Sequence, residues 1–205
     1  MEKQIFFRRV LPLFTLSLIL MTAGCIAGIA VPEFTLPVSI VFFVTLLLTY
    51  ILKHIRGINL IVLFILVFSG GFLLSSIVTR AILTGNADAV MIALSVTTLV
   101  FIVSSAVSLI FSWNLGWMGS TLSYSLLSLI ILSFVSIFID IEHLDFILSL
   151  ISTVLFSGYF FYDMNRIIGE YDEDEYIDAV VSLYLDFLNL FQSLLTFILY
   201  MREEE

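Results

Sequence analysis

Two carboxylic acids stand where carboxylic acids are expensive. Asp163 closes the apolar run Phe146–Phe161, in the string Tyr159-Phe160-Phe161-Tyr162-Asp163-Met164-Asn165. Asp186 lies near the middle of the next run, in Ser182-Leu183-Tyr184-Leu185-Asp186-Phe187-Leu188-Asn189-Leu190-Phe191. A carboxylate at the centre of a bilayer costs roughly 3 kcal/mol on insertion scales, so such a residue faces a bundle interior or a water-filled cavity. Two carboxylates brought together in a low dielectric do not both ionise cheaply, and the pair shares a proton. Ionised, the pair offers hard oxygen ligands of the kind that suit Ca²⁺. The same two residues can therefore sense protons and attract a cation. The structural alternative is that each Asp pairs with a base or caps a broken helix, with Arg166 as the local partner of Asp163.

These residues need two neighbouring elements that hold them at one depth. Asp178, Ser182, Asp186, Asn189 and Ser193 fall at spacings of 4, 4, 3 and 4, one stripe of an α-helix. Tyr159, Asp163 and Arg166 share a face at i, i+4 and i+7 of the preceding segment. A short connection, about Arg166 to Tyr176, makes the two segments an antiparallel hairpin. Each aspartate then lies within a few turns of the same connection.

Composition says what surrounds the hairpin. Of 205 residues, 61% are hydrophobic and 12% charged, against about 25% charged in soluble domains. The mean hydropathy is +1.17. The apolar runs are continuous and near the length that spans about 30 Å of hydrocarbon. Barrel strands would instead alternate polar and apolar. The expected fold is an all-α membrane protein with one seven-helix domain over residues 1–205. The spans run from about Val10 to Val31, Leu36 to Leu52, Ile58 to Val78, Ala89 to Phe111, Trp117 to Ile139, Phe146 to Asn165 and Ile177 to Tyr200. The first reads as an uncleaved helix, because it is long for a signal peptide and other spans follow.

The net charge of −9 comes mostly from acidic clusters at Asp140–Asp145, Glu170–Asp178 and the C-terminus. They read as solvated loops and a tail, and nothing resembles a nucleic-acid patch. Lys3, Arg8, Arg9, Lys53, Arg56 and Arg166 fall on the N-terminal side of the spans, and only Arg80 and Arg202 on the other. The positive-inside rule then puts the N-terminus in the cytoplasm and the C-terminus outside the cell membrane.

Gly24 and Gly28, and the serines 104, 108 and 112, read as close-packing surfaces. Ser120, Ser128 and Ser136 recur every eight residues, and some of these hydroxyls are candidates for lining a polar path. Ser69, Gly70 and Gly71 are a place where the third helix could kink. Arg80 and Asp88 look interfacial, His54 and His143 solvated, and the lone Cys25 a small packed residue. No cluster has transition-metal spacing, and phosphate loops and nucleophile elbows are absent, so an enzyme reading is weak. Tyr162-Asp163 matches half of an intramembrane aspartyl-protease pattern, but Tyr184-Leu185-Asp186 does not match the Gly-x-Gly-Asp half.

Tyr162-Asp163-Met164-Asn165 and Ser182–Phe191, in this order at the end of seven spans, resemble the transmembrane Bax inhibitor motif family. The motif region covers about Leu155 to Leu199. The resemblance implies a fold with the seventh helix central and the other six around it. It implies a pH-dependent Ca²⁺ leak gated by Asp163 and Asp186, with Asp186 at the core of the gate. It also implies a basic latch at the end of the second helix, here Lys53 or Arg56, beside the local candidate Arg166. Lys53 would hold more weakly than an Arg, being a point charge without a bidentate fork. Tyr159, Ser182 and Asn189 are the expected polar lining. Relatives can carry an acid within the second helix, whereas this chain has Phe42 there and no acid between Glu33 and Asp88. The expected partners are the bilayer, protons and Ca²⁺ as permeant ion, with no cofactor. Two competing readings are a proton-coupled transporter using the same carboxylates and a regulatory membrane protein that carries no flux.

Overall fold

A computed structural model describes residues 2–52, 57–111, 113, 115–136, 138, 144–171 and 173–203. Seven of the described helices are long and apolar enough to cross a membrane. The first, α1 (Leu11–Ala30), continues from a short helical stretch through a π-helical turn at Phe6–Val10. It is followed by α2 (Thr35–Ile51), α3 (Ile58–Leu83), α4 (Ala87–Ile110), α5 (Gly116–Ser136), α6 (Leu144–Gly169) and α7 (Tyr176–Glu203).

Local chemistry sets the ends. The α1 helix stops just ahead of Pro32, whose ring disfavours helical backbone before it. The α3 helix closes on Gly85 at φ 76°, a left-handed position suited to glycine. There the Gly85 N–H donates to Ile82 O and the Asn86 N–H to Ala81 O, so two terminal carbonyls are satisfied. The sequence puts the end of this helix near Val78; it runs a turn further. Arg80 needs that turn to reach Glu203 of α7, and the ion pair is described below.

Within the spans, hydroxyl groups turn back to their own helices. Ser17 donates to Leu13 O, Thr97 to Ala93 O and Ser149 to Phe146 O. In hydrocarbon there is no water to satisfy them, so this local bond lets Ser and Thr sit among lipid-facing helices.

The α7 helix is the most enclosed of the seven, and α3 comes next. Directly around α7 stand α1, α3, α4 and α6, while α2 packs chiefly on α3 and α5 on α6. Four rings join the first set. Phe14 of α1 stacks on Phe101 of α4 at 5.1 Å, and Phe160 of α6 and Phe187 of α7 close the group at 6.0–6.4 Å. Such ring pairs add to burial about 0.5–1.5 kcal/mol each.

The α1–α3 contact is closer still. A side chain at Gly24 would strike the Phe68 carbonyl, one at Gly28 the Ser75 hydroxyl, and one at Gly71 the backbone of Met21. These glycines let two backbones touch, as the spacing of Gly24 and Gly28 predicts. Gly70 and Gly71 do not break α3, which runs unbroken through them. Gly71 makes room for α1, and Gly70 for the Tyr184 ring of α7. Tyr184, fully buried, donates its hydroxyl to Val67 O at 3.0 Å.

On the remaining side the helices follow the order α2–α3–α7–α6–α5. The outer two, α2 and α5, are not packed on each other. Between them a groove reaches α7.

Candidate functional site

The hairpin of α6 and α7 brings the two aspartates together. Asp163 sits near the C-terminal end of α6 and Asp186 ten residues into α7. Antiparallel packing puts both at a similar depth, and their carboxyls lie within hydrogen-bond reach. A carboxylate has no proton to donate, so this contact is a hydrogen bond only while one of the two stays protonated. Asp186 is 5% exposed, and its Oδ2 receives no hydrogen bond among the described residues. Asp163 is half-buried.

Two cavities meet at this pair. One, about 620 Å³, is lined by Gly116, Gly119, Ser120, Ser123, Tyr124, Tyr159, Tyr162, Asp163, Arg166 and Ser182. It lies toward the end of the bundle that carries the α6–α7 connection. The other, about 1060 Å³, is the groove between α2 and α5, and runs toward the opposite end, where Arg80, Asp145 and Tyr200 line it. Asp163, Tyr159 and Ser182 belong to both. Asp186, Asn189 and Ser193 line the groove, so the stripe read from the sequence faces open space. Asn189 donates to Leu185 O and Ser193 to Asn189 O.

Arg166 is placed differently from the sequence reading. Its Nε lies 3.6 Å from Glu170 and its guanidinium 5.2 Å over the Tyr171 ring. Its charge still acts on Asp163 at longer range. Tyr171 in turn lies close to Ser182 of α7. Lys53 and Arg56, the other latch candidates, lie outside the described residues. Phe42 lines the groove.

Ser123 and Gly119 at the site were not singled out by sequence. Ser123 of α5 lies beside Tyr159 and donates to Gly119 O, and a side chain at Gly119 would strike the Tyr162 side chain. Of the octad serines, Ser120 and Ser136 line the cavities, while Ser128 is exposed and donates to Tyr124 O. Ser104 and Ser108 are buried, in keeping with packing. At the far end the Nη2 of Arg80 donates to both carboxylate oxygens of Glu203, at 2.7 and 2.9 Å, and the guanidinium lies over the Tyr200 ring at 5.4 Å. Tyr200 donates to Asp145, and Arg202 grips Asp88 through two bonds of 2.6 Å. Arg80 and Asp88, read as merely interfacial, thus fasten the end of α7. Their partners lie more than a hundred residues away in sequence, and no local pattern marks them.

Chemically, the site brings two carboxylates, two tyrosines and a serine together. Six to eight oxygens make a dedicated Ca²⁺ cage. Among the described residues no group of three or more acids, histidines or cysteines could hold a metal.

The protein family described as inhibitor of apoptosis-promoting Bax1 matches residues 3–204. An uncharacterized protein of Helicobacter pylori is 33% identical over 190 residues, covering 90% of this chain and 82% of its own. An uncharacterized protein of Campylobacter jejuni is 30% identical over 205 residues, 95% of this chain and 87% of its own. Protein lifeguard 4 of the mouse is 29% identical over 146 residues, 71% of this chain and 60% of its own. A match that runs almost end to end, on a bundle of seven spanning helices, makes this chain a member of the Bax inhibitor family of multi-pass membrane proteins.

Proposed function

We propose that the chain is a pH-sensitive, calcium-permeable leak of the cytoplasmic membrane, gated by the proton that Asp163 and Asp186 share. One observation carries this reading: the two carboxyls stand where cavities from opposite ends of the bundle abut. With one proton between them, the carboxyls hold α6 to α7 and close the passage. Loss or gain of that proton changes the hold on α7 and shifts a closed–open equilibrium. Asp186, deeply buried at the groove's inner end, is the core of the gate and Asp163 its partner. Tyr159 and Ser182, which line both cavities, are the polar lining at the constriction, and Asn189 continues it along the groove. Arg166, held by Glu170 and Tyr171, is the described basic group best placed to compete for Asp163. Lys53 and Arg56 keep that role only on the family resemblance. The N-terminus lies in the cytoplasm, from the six basic residues on that side, and the groove opens toward the outside.

Two cavities divided by a thin barrier also have the shape of an alternating-access site. That observation favours a proton-coupled transporter as the second reading. Calcium flux into dye-loaded liposomes separates the two. A leak runs down the calcium gradient without saturating and is unchanged when a protonophore collapses the proton gradient. Saturable flux that needs the proton gradient means a transporter. No flux from folded protein moves the reading to a regulatory protein that acts through partners.

A further inference from the structure

The groove between α2 and α5 is open sideways to the bilayer. Phe43 on one wall and Ile130 on the other both line it, and they are 61% and 56% exposed. Each lies well inside its span, at hydrocarbon depth. A lateral opening of about 1060 Å³ at that depth is filled by whatever the bilayer supplies. The walls are apolar: Phe43, Leu46, Leu126 and Ile130 among them. The polar stripe at the back presents few unmet donors to a hydrocarbon chain, because Asn189 and Ser193 turn theirs to their own helix.

The mouth of the groove is chemically specific. Arg80 and Asp145 both line it, at the membrane boundary formed by the end of α3 and the start of α6. Arg80 is 45% exposed at its side chain even while paired with Glu203, so its guanidinium can take a further acceptor. Asp145 is exposed and takes a bond from Tyr200 at one oxygen, Oδ2. A phosphate fits Arg80 and a primary ammonium fits Asp145. An anionic headgroup with no cation would set its only charge beside Asp145 and Glu203. A quaternary ammonium could not donate to either.

We propose that this groove is a binding site for a zwitterionic aminophospholipid of the ethanolamine type, its acyl chain between α2 and α5 and its headgroup on Arg80 and Asp145. The lipid comes from the leaflet at the C-terminal end of the bundle. The proposal rests on the groove's walls and the charges at its mouth and not on ion flux; Asp163 and Asp186 line the inner end of the same groove, so an acyl chain seated there occupies the outer part of the passage proposed above.

Native mass spectrometry of the purified full chain tests it. The protein is incubated in micelles with equal amounts of ethanolamine, choline and glycerol phospholipids of identical acyl chains. The ethanolamine lipid should be retained about tenfold over either rival, a difference of about 1.4 kcal/mol. Asp145→Asn should erase its advantage over the choline lipid, and Arg80→Gln should weaken both zwitterionic lipids. Ile130→Trp fills the groove without touching any ion pair, and should lower retention of the ethanolamine lipid about tenfold. Arg202→Gln breaks a pair outside the groove and should change nothing. Equal retention of the three lipids, preference for the glycerol lipid, or full retention by Ile130→Trp would each overturn the proposal.

Discussion

The two sides of α7 obey different rules. Toward α1, α3 and α4 it is sealed: glycines bring α1 and α3 into backbone contact, four aromatic rings interlock, and Tyr184 is fully buried. Toward α2 and α5 it carries Ser182, Asp186, Asn189 and Ser193 and looks into a groove. One helix thus serves as keystone on one face and as groove wall on the other. The difference teaches where a membrane bundle can hold a carboxylate. The acid is tolerated on the face where cavities reach it, and the sealed face supplies the stability that the open face lacks.

The sharpest way to break this comparison is to add atoms to the sealed side. Gly71→Leu should destabilise the protein by at least about 3 kcal/mol, since its side chain would enter the Met21 backbone. Unfolding in mixed micelles measures it. Gly119→Ala on the open side meets only the Tyr162 side chain, its hydroxyl and the far edge of its ring, which can swing away. It should cost less than about 1 kcal/mol by the same measurement. Equal losses at the two glycines would erase the distinction between the faces.

Tyr184→Phe should cost about 1 kcal/mol, the net worth of one hydrogen bond to Val67 O. An unchanged midpoint would mean that the ring, rather than the hydroxyl, is what the sealed face uses. Smaller still is the pair at the end of α7. Arg80 and Glu203 are 45% and 38% exposed, and exposed ion pairs yield at most about 1 kcal/mol. A double-mutant cycle of Arg80→Gln and Glu203→Gln should give a coupling below that figure, falling further in high salt. A larger value would mean that this end of α7 is held as firmly as its sealed face.

Much of this was legible in the sequence, because the bilayer enforces it. Length and hydropathy mark seven spans, and four residues of the polar stripe, Ser182, Asp186, Asn189 and Ser193, mark the face of α7 that meets a cavity, while Asp178 lines neither cavity. The glycine spacing in α1 marks its contact with α3. The split between sealed and open faces was not legible. In lipid both faces of a helix are apolar, so hydrophobic periodicity does not report which one is buried. Phe43 and Phe14 look alike as residues, yet one faces the groove mouth and the other is buried against α4 and α7. Gly70 and Gly71 were ambiguous between kink and contact for the same reason, since the partner that explains them is on another helix. Arg166 has several partners within a turn, and proximity along the chain does not choose among Asp163, Glu170 and Tyr171.

The central claim is that one proton shared by Asp163 and Asp186 controls passage between the two cavities. Calcium entry into dye-loaded liposomes, scanned over a pH range around neutrality, tests it with Asp163→Asn and Asp186→Asn alongside the natural sequence. The account predicts a passive flux with a clear pH midpoint in the natural protein, and a midpoint that moves or vanishes in both variants. A flux whose pH profile is the same in all three proteins would contradict it.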